Sequence, residues 1–280
     1  MKRTLSLLIL LCGCASLPDG LHVTRSLTDK NTASKPAQLQ VTAPKDADRS
    51  YAVDFGLGYT RSWSQKDNLQ TDLVYGAEYH RNTLTDKKQD STLVTLGIDQ
   101  IIGNITPDKG PKADPVWLPS FAAKFKKDRI KSTESFLPTI IVTLASKRLR
   151  IGEVIGSTPG FLWQPTAALE WERITRAANH GPTGSTARAW ASLDVDIYPL
   201  FTKLGSQLDL SLTARAWHDV HQSAVLRTGG SNQYLRKASL TYFIDKDQHF
   251  GVGVDRVSGE NPSEGQPDQH YTQLTLKLKL

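Results

Sequence analysis

From Tyr51 onward the chain alternates. Tyr51, Val53, Phe55, Leu57, Tyr59, Arg61 and Trp63 fall on one face of an extended segment, and Ala52, Asp54, Gly56, Gly58, Thr60 and Ser62 on the other. Successive side chains of a strand point to opposite sides, so a strict period of two marks a β-strand with two chemically different faces. The segment is about twice the usual strand length of roughly five or six residues. Its apolar face carries aromatics at both ends. With a rise of about 3.3 Å per residue and a tilt of about 40°, Tyr51 and Trp63 stand about 30 Å apart along a bilayer normal, the spacing of two interfacial aromatic belts.

The same alternation recurs to the end of the chain. Leu69–Arg81, Thr92–Ile102, Phe136–Ser146, Phe161–Arg173, Ala187–Ile197, Gln207–His218, Tyr234–Ile244, Phe250–Arg256 and Tyr271–Leu280 each present one apolar and one polar or small face. Trp163 and Trp171 again bracket one apolar face, as Tyr51 and Trp63 do. These segments predict an all-β, antiparallel transmembrane β-barrel over residues 50–280. Ten strands are clear. Val116–Lys127 reads either as a strand or as a short amphipathic helix. Single-chain bacterial barrels use even strand numbers, so counting it as a strand calls for a partner at Gln38–Thr42. Twelve strands are expected, and ten are the alternative, with 103–135 as one long loop. A soluble β-sandwich is the competing fold, but it does not require strands this long with aromatics at both ends of one face.

Connection lengths bear on orientation. With strands ending where alternation ends, Ser258–Asp268, His221–Asn232 and Ile174–Thr186 read as long, and Asp245–Gln248 and Pro199–Ser206 as shorter. Barrels with short periplasmic turns and long outer loops would then have Leu280 in the periplasm. The chain ends inside an amphipathic strand, which resembles the C-terminal sorting signal of outer-membrane barrels. That family usually ends in Phe, and Leu280 departs from it. The resemblance implies the barrel assembly machinery and outer-membrane lipids as partners, in the bacterial outer membrane.

Composition narrows the picture. Of 280 residues, 22% are charged, with a net charge of +6 spread through strands and turns. No nucleic-acid module is recognisable, and a basic balance alone does not make one. Past the N-terminus no apolar run is long enough for a spanning helix. Residues 1–14 have a basic start and a short apolar core, the pattern of an export signal. Leu11-Cys12-Gly13-Cys14 resembles the lipobox of bacterial lipoproteins, which implies acylation at Cys14; ordinary cleavage nearby is the alternative. Residues 15–49 are polar and Pro-containing and read as a periplasmic tether, with a first short strand at Gln38–Thr42. Both cysteines lie in the signal, so no disulfide framework is expected in the mature chain.

Function in such a barrel lies on the inward residues. Pairing strands through their turns places Glu172 near Arg188, Trp190 near Arg215, Arg188 near Trp217 and Lys237 near Arg215. The expected lumen is an arc of Arg188, Arg215 and Lys237 flanked by Glu170, Glu172 and Asp255, with Trp190 and Trp217 as its aromatics. Three readings follow. One is a porin-like passive channel for small solutes. Another is a filled structural or surface-interaction barrel whose interior ions satisfy one another. The third is a lipid-modifying hydrolase with a histidine at the rim. His218 and His221, near Asp219 and Ser223, and His80, beside Glu78, are the histidines at strand ends. No nucleophile–base motif accompanies them, so no catalytic residue is assigned. No cofactor is expected and no metal site, the histidines lacking ligand spacing. The oligomeric state is left open.

Overall fold

The computed structural model describes residues 20–25, 27, 37–42, 50–66, 68–83, 88–103, 105–106, 110–111, 114–156, 158–178, 181–226, 231–264 and 266–278. In chain order the strands are β1 (Leu21–Thr24), β2 (Ala37–Thr42), β3 (Ser50–Lys66), β4 (Leu69–Asn82), β5 (Gln89–Ile102), a small ribbon of β6 (Ile105–Thr106) and β7 (Gly110–Pro111), then β8 (Val116–Asp128), β9 (Thr133–Ala145), β10 (Gly160–Ala177), β11 (Gly184–Tyr198), β12 (Leu208–Gln222), β13 (Asn232–Phe243), β14 (Phe250–Asn261) and β15 (Gln266–Leu278). Among the described residues the helical part is two short turns, Phe201–Leu204 and Ala224–Leu226.

Neighbouring strands pair antiparallel from β3 through β4, β5 and β8 to β15, and β2 closes the ring by bonding β15 on one side and β3 on the other. The result is a closed barrel of twelve strands with β1 in addition. Val116–Asp128 is a strand along its whole length, and the partner that parity required lies at Ala37–Thr42. β1 also pairs with β3. Thr24 faces Gly56 and Gln38 faces Asp54, so β1 and β2 lie end to end along the same edge of β3.

The alternation turns the usual burial inside out. Leu96, 63% exposed, and Leu169, 60% exposed, lie on the outer face with Val94, Ile140, Val254, Leu274 and Leu276. Thr95, Thr139, Thr275, Glu170 and Asp255 are buried on the inner face. A soluble protein rarely shows a contiguous apolar patch beyond a few hundred Å². An apolar belt around a closed sheet with polar groups inside is the membrane-spanning arrangement, in which every backbone donor and acceptor is satisfied within the ring. This excludes the sandwich. Tyr51, Trp63, Trp163 and Trp171 all lie on that outer face.

Two expectations need correcting. The strands run past the end of alternation into segments read as long loops. The β14–β15 connection is only 262–265, β10–β11 is 178–183 and β12–β13 is 223–231. The longest connections, 103–115 and 146–159, lie at the mouth where β15 ends. Loop length therefore does not orient this barrel. Polar strand ends need only backbone pairing, which carries no periodic signal. The mouth where β15 ends is called the lower mouth below, and the other the upper mouth.

Candidate functional site: the barrel lumen

The lumen walls are chemically unequal. On the side of β3 to β5 the inward positions include Gly56, Gly58, Gly76 and Gly97. On the side of β9 to β14 they include Ile141, Ala168, Trp190, Trp217, Leu235 and Val257, a continuous buried apolar layer with Tyr271 against it. Arg215 stands over both indoles, its guanidinium carbon 4.7 Å from the ring centroid of Trp190 and 5.7 Å from that of Trp217. A cation over aromatic faces is held by their quadrupoles, more strongly where water is excluded.

Above this layer a charged ladder crosses six strands, β8 to β13. Arg188 donates to Glu170 at 3.0 Å, to Glu172 at 2.8 Å and, through Nε, to Asp219 at 3.1 Å. Lys126 reaches the other oxygen of Glu172 at 2.6 Å, which also accepts from Ser135 at 2.9 Å. Gln233 donates to the second oxygen of Asp219. In a desolvated interior, ions persist only when opposite charges and hydrogen bonds meet them this closely.

A separate cluster lies towards the lower mouth. Lys237 sits 2.9 Å from Asp255 and donates to Gln38 of β2 at 2.8 Å. Lys277 lies 3.4 Å from the other oxygen of Asp255 and donates to Ser239 and Thr241. Six residues read from sequence as one arc thus occupy three settings. Arg188, Glu170 and Glu172 form the ladder, Arg215 lies between Trp190 and Trp217, and Lys237 pairs with Asp255. Lys237 does not group with Arg215, because its cross-strand neighbour is Thr213, and Arg215 faces Leu235. The register also differs by two residues from the turn-based estimate. Arg188 faces Glu170 and Asp219, and Trp190 faces Trp217. A register shift between Ala187 and Arg188 contributes, and long side chains still span the offset.

Two chain segments enter the lumen, and neither was visible in the alternation. Leu27, just past β1, is buried; a Cβ built on Gly58 would come 2.5 Å from its Cδ2, and one on Gly76 2.8 Å from its Cδ1. The lumen space left by the small face of β3 is therefore occupied here by Leu27 and His22, from the N-terminal part of the chain. At the upper mouth, the β14–β15 connection reaches the far wall. Gln89 and Ser91 of β5 both donate to the backbone carbonyl of Glu264 at 2.9 Å, and Lys126 of β8 donates to that of Pro262 at 3.3 Å. Lys126 thereby ties the ladder to the infolded segment. The Glu264 carboxylate comes within 4.8 Å of the ligand atoms of Glu78 and His80 on β4. His80, fully buried, has Nε2 3.1 Å from Glu78 and Nδ1 3.0 Å from Asp54 of β3.

The rim histidines have unrelated partners. His218 points outward and contacts Asn232 at 2.8 Å. Asp219 points inward to Arg188, and Ser223 lies against Ser185. His218, Asp219 and Ser223 are thus not brought together. Cys14 and the lipobox lie outside the described residues.

No protein-family model matches the chain, and no curated protein matches it in sequence. Solved structures similar to it include the NanC porin, at 8% identity and a TM-score of 0.42 over 87% of this chain and 100% of that one. The translocator domain of the autotransporter NalP from Neisseria meningitidis is similar at 10% identity and a TM-score of 0.40 over 100% of this chain and 95% of that one. The transport unit of the autotransporter AIDA-I from Escherichia coli is similar at 11% identity and a TM-score of 0.41 over 95% and 92%.

Proposed function

We propose that the chain is a porin-like passage for small polar solutes in the bacterial outer membrane, held shut by Leu27 below and by the Pro262–Glu264 segment above. The observation that carries this reading is the unequal wall. Glycines line the β3–β5 side, and the space beside Gly58 and Gly76 is taken by Leu27 and His22, which lie outside the twelve-strand ring, while the Pro262–Glu264 segment folds in against Gln89 and Ser91. A bore of twelve strands is narrow, so a single short segment suffices to close it. The apolar outer face supports a membrane location. The chain enters the ring at the start of β2 and leaves it at the end of β15, both on the side of the lower mouth, so a chain exported through the periplasm would insert with that mouth facing the periplasm. The assembly machinery and membrane lipids are then the partners, with Cys14 as an acylated anchor.

The second reading, a filled structural barrel, is favoured by the apolar layer around Trp217 and by the paired charges of the ladder. One experiment separates them. Conductance is recorded in planar bilayers for the native barrel and for a variant lacking residues 262–264 with Leu27→Gly. The passage reading expects brief or no openings from the native barrel and steady conductance from the variant. A variant that retains heat-modifiable gel mobility yet stays silent would leave the filled barrel as the function.

A further inference from the structure

We propose that Glu78, His80 and Glu264 form a binding site for a divalent transition-metal ion, with zinc the best fit, that fastens the infolded upper segment to the barrel wall. The site is independent of whether the barrel conducts. Its donors are one imidazole and two carboxylates, all buried, with one ligand atom of each lying within 4.8 Å of the others. Mixed nitrogen and oxygen donors suit zinc among the common ions, whereas calcium and magnesium prefer oxygen alone.

The ligands come from two sides of the lumen. Glu78 and His80 are two residues apart on β4, so both point into the lumen from one strand. Asp54 on β3 lies directly opposite His80 in the ladder and engages Nδ1 at 3.0 Å. With Nδ1–H donated to Asp54, the Nε2 lone pair faces Glu78, the tautomer that metal-binding histidines adopt when a carboxylate backs them. Glu264 arrives from the far wall, its own backbone carbonyl pinned by Gln89 and Ser91. Metal–ligand bonds of about 2.0–2.2 Å put tetrahedral ligand atoms roughly 3.4 Å apart. The His80–Glu78 contact of 3.1 Å is already near that spacing. Glu264 has to approach by about an ångström, within the reach of a side-chain rotation. Lys124, 3.8 Å from the Oε1 of Glu78, is the competing cation, and its ammonium swings away as the metal takes that carboxylate. Binding displaces any proton on Nε2 to solvent and forms no covalent product.

The test uses the full chain with Cys12→Ser and Cys14→Ser, without a histidine tag, stripped with chelator and titrated with zinc alone by calorimetry. One equivalent is expected. His80→Gln and Glu264→Gln should each abolish it, and Asp54→Asn should weaken it by about 10–100-fold. Cobalt in place of zinc should give visible absorption that Glu264→Gln alters. Glu264→Gln lies in a connection and is expected to keep the heat-modifiable barrel even if His80→Gln does not. Absence of stoichiometric zinc, or binding unchanged by Glu264→Gln, overturns the proposal.

Discussion

Arg188 and Glu172 meet at 2.8 Å inside the lumen, though they are not directly paired across β10 and β11. Glu172 faces Thr186 in the ladder of backbone bonds, and Arg188 faces Glu170. The guanidinium therefore bridges diagonally as well as straight across, and its Nε is left for Asp219 on β12. One cation thus joins three strands. Replacing it with alanine leaves Glu170 and Asp219 without that partner and Glu172 with Lys126 and Ser135. Arg188→Ala should lower stability by about 3–5 kcal/mol, the usual cost of breaking a buried pair. Arg188→Met combined with Glu170→Gln and Asp219→Asn should recover part of the loss. The temperature at which the folded gel band disappears measures both.

Arg215 is held differently, by indole faces. Arg215→Ala should cost about 2 kcal/mol and open the layer around Trp217, which is 2% exposed. Tryptophan emission should shift to the red. Arg215→Leu, which refills the volume, should leave emission closer to the native value.

The two glycines against Leu27 separate a soft contact from a hard one. A Cβ on Gly58 meets the flexible ends of His22 and Leu27, whereas a Cβ on Gly76 runs into the backbone carbonyl of Leu57. Gly58→Ala should be tolerated and should displace Leu27, raising conductance if the passage reading holds. Gly76→Ala should destabilise by about 1–3 kcal/mol, because β3 or β4 must shift. Thermal melting in detergent compares them directly.

At the lower mouth, Asp245 organises the β13–β14 turn. Partial burial pushes its carboxyl pKa upward, but the backbone N–H groups of His249 and Phe250 and the His249 ring outweigh that, and it stays below the ordinary value. A depressed carboxylate stabilises above its unfolded pKa of about 4 and loses that contribution as pH falls through the folded value. The group is partly exposed, so screening limits the effect to a few tenths of a kcal/mol. Asp245→Asn should remove this small acid dependence, as seen by comparing melts above and below about pH 4.

The N-terminal expectation has its own check. Cells labelled with palmitate should incorporate it into the native chain and not into Cys14→Ser. Equal labelling of the two would rule out acylation at Cys14.

Much of the barrel was legible in the order of residues, for a physical reason. In a membrane the outer face must be apolar and the inner face need not be, so most spanning segments carry a period of two, and Val116–Lys127 kept enough of it to favour twelve strands over ten. What stayed hidden had no period to betray it. Ile140, Ile141 and Val142 are apolar on both faces, so alternation cannot show that Ile141 points inward into a second apolar layer. Ser258–Asn261 and His221–Gln222 carry no apolar face, so their pairing at the strand ends leaves no trace. Glu264 lies far in sequence from His80, and Leu27 from Gly76. Such contacts arise only when the ring closes and brings opposite walls within a side chain's length.

β1 and β2 share one edge of β3 in a single continuous line, with Thr24 opposite Gly56 and Gln38 opposite Asp54. The wall is therefore stitched on either side of the segment that carries Leu27. Leu27 itself lies between these two sets of rungs and belongs to neither. On the passage reading, displacing its side chain breaks no backbone pair of β1 or β2 with β3, so closing the bore and holding the wall fall to different residues.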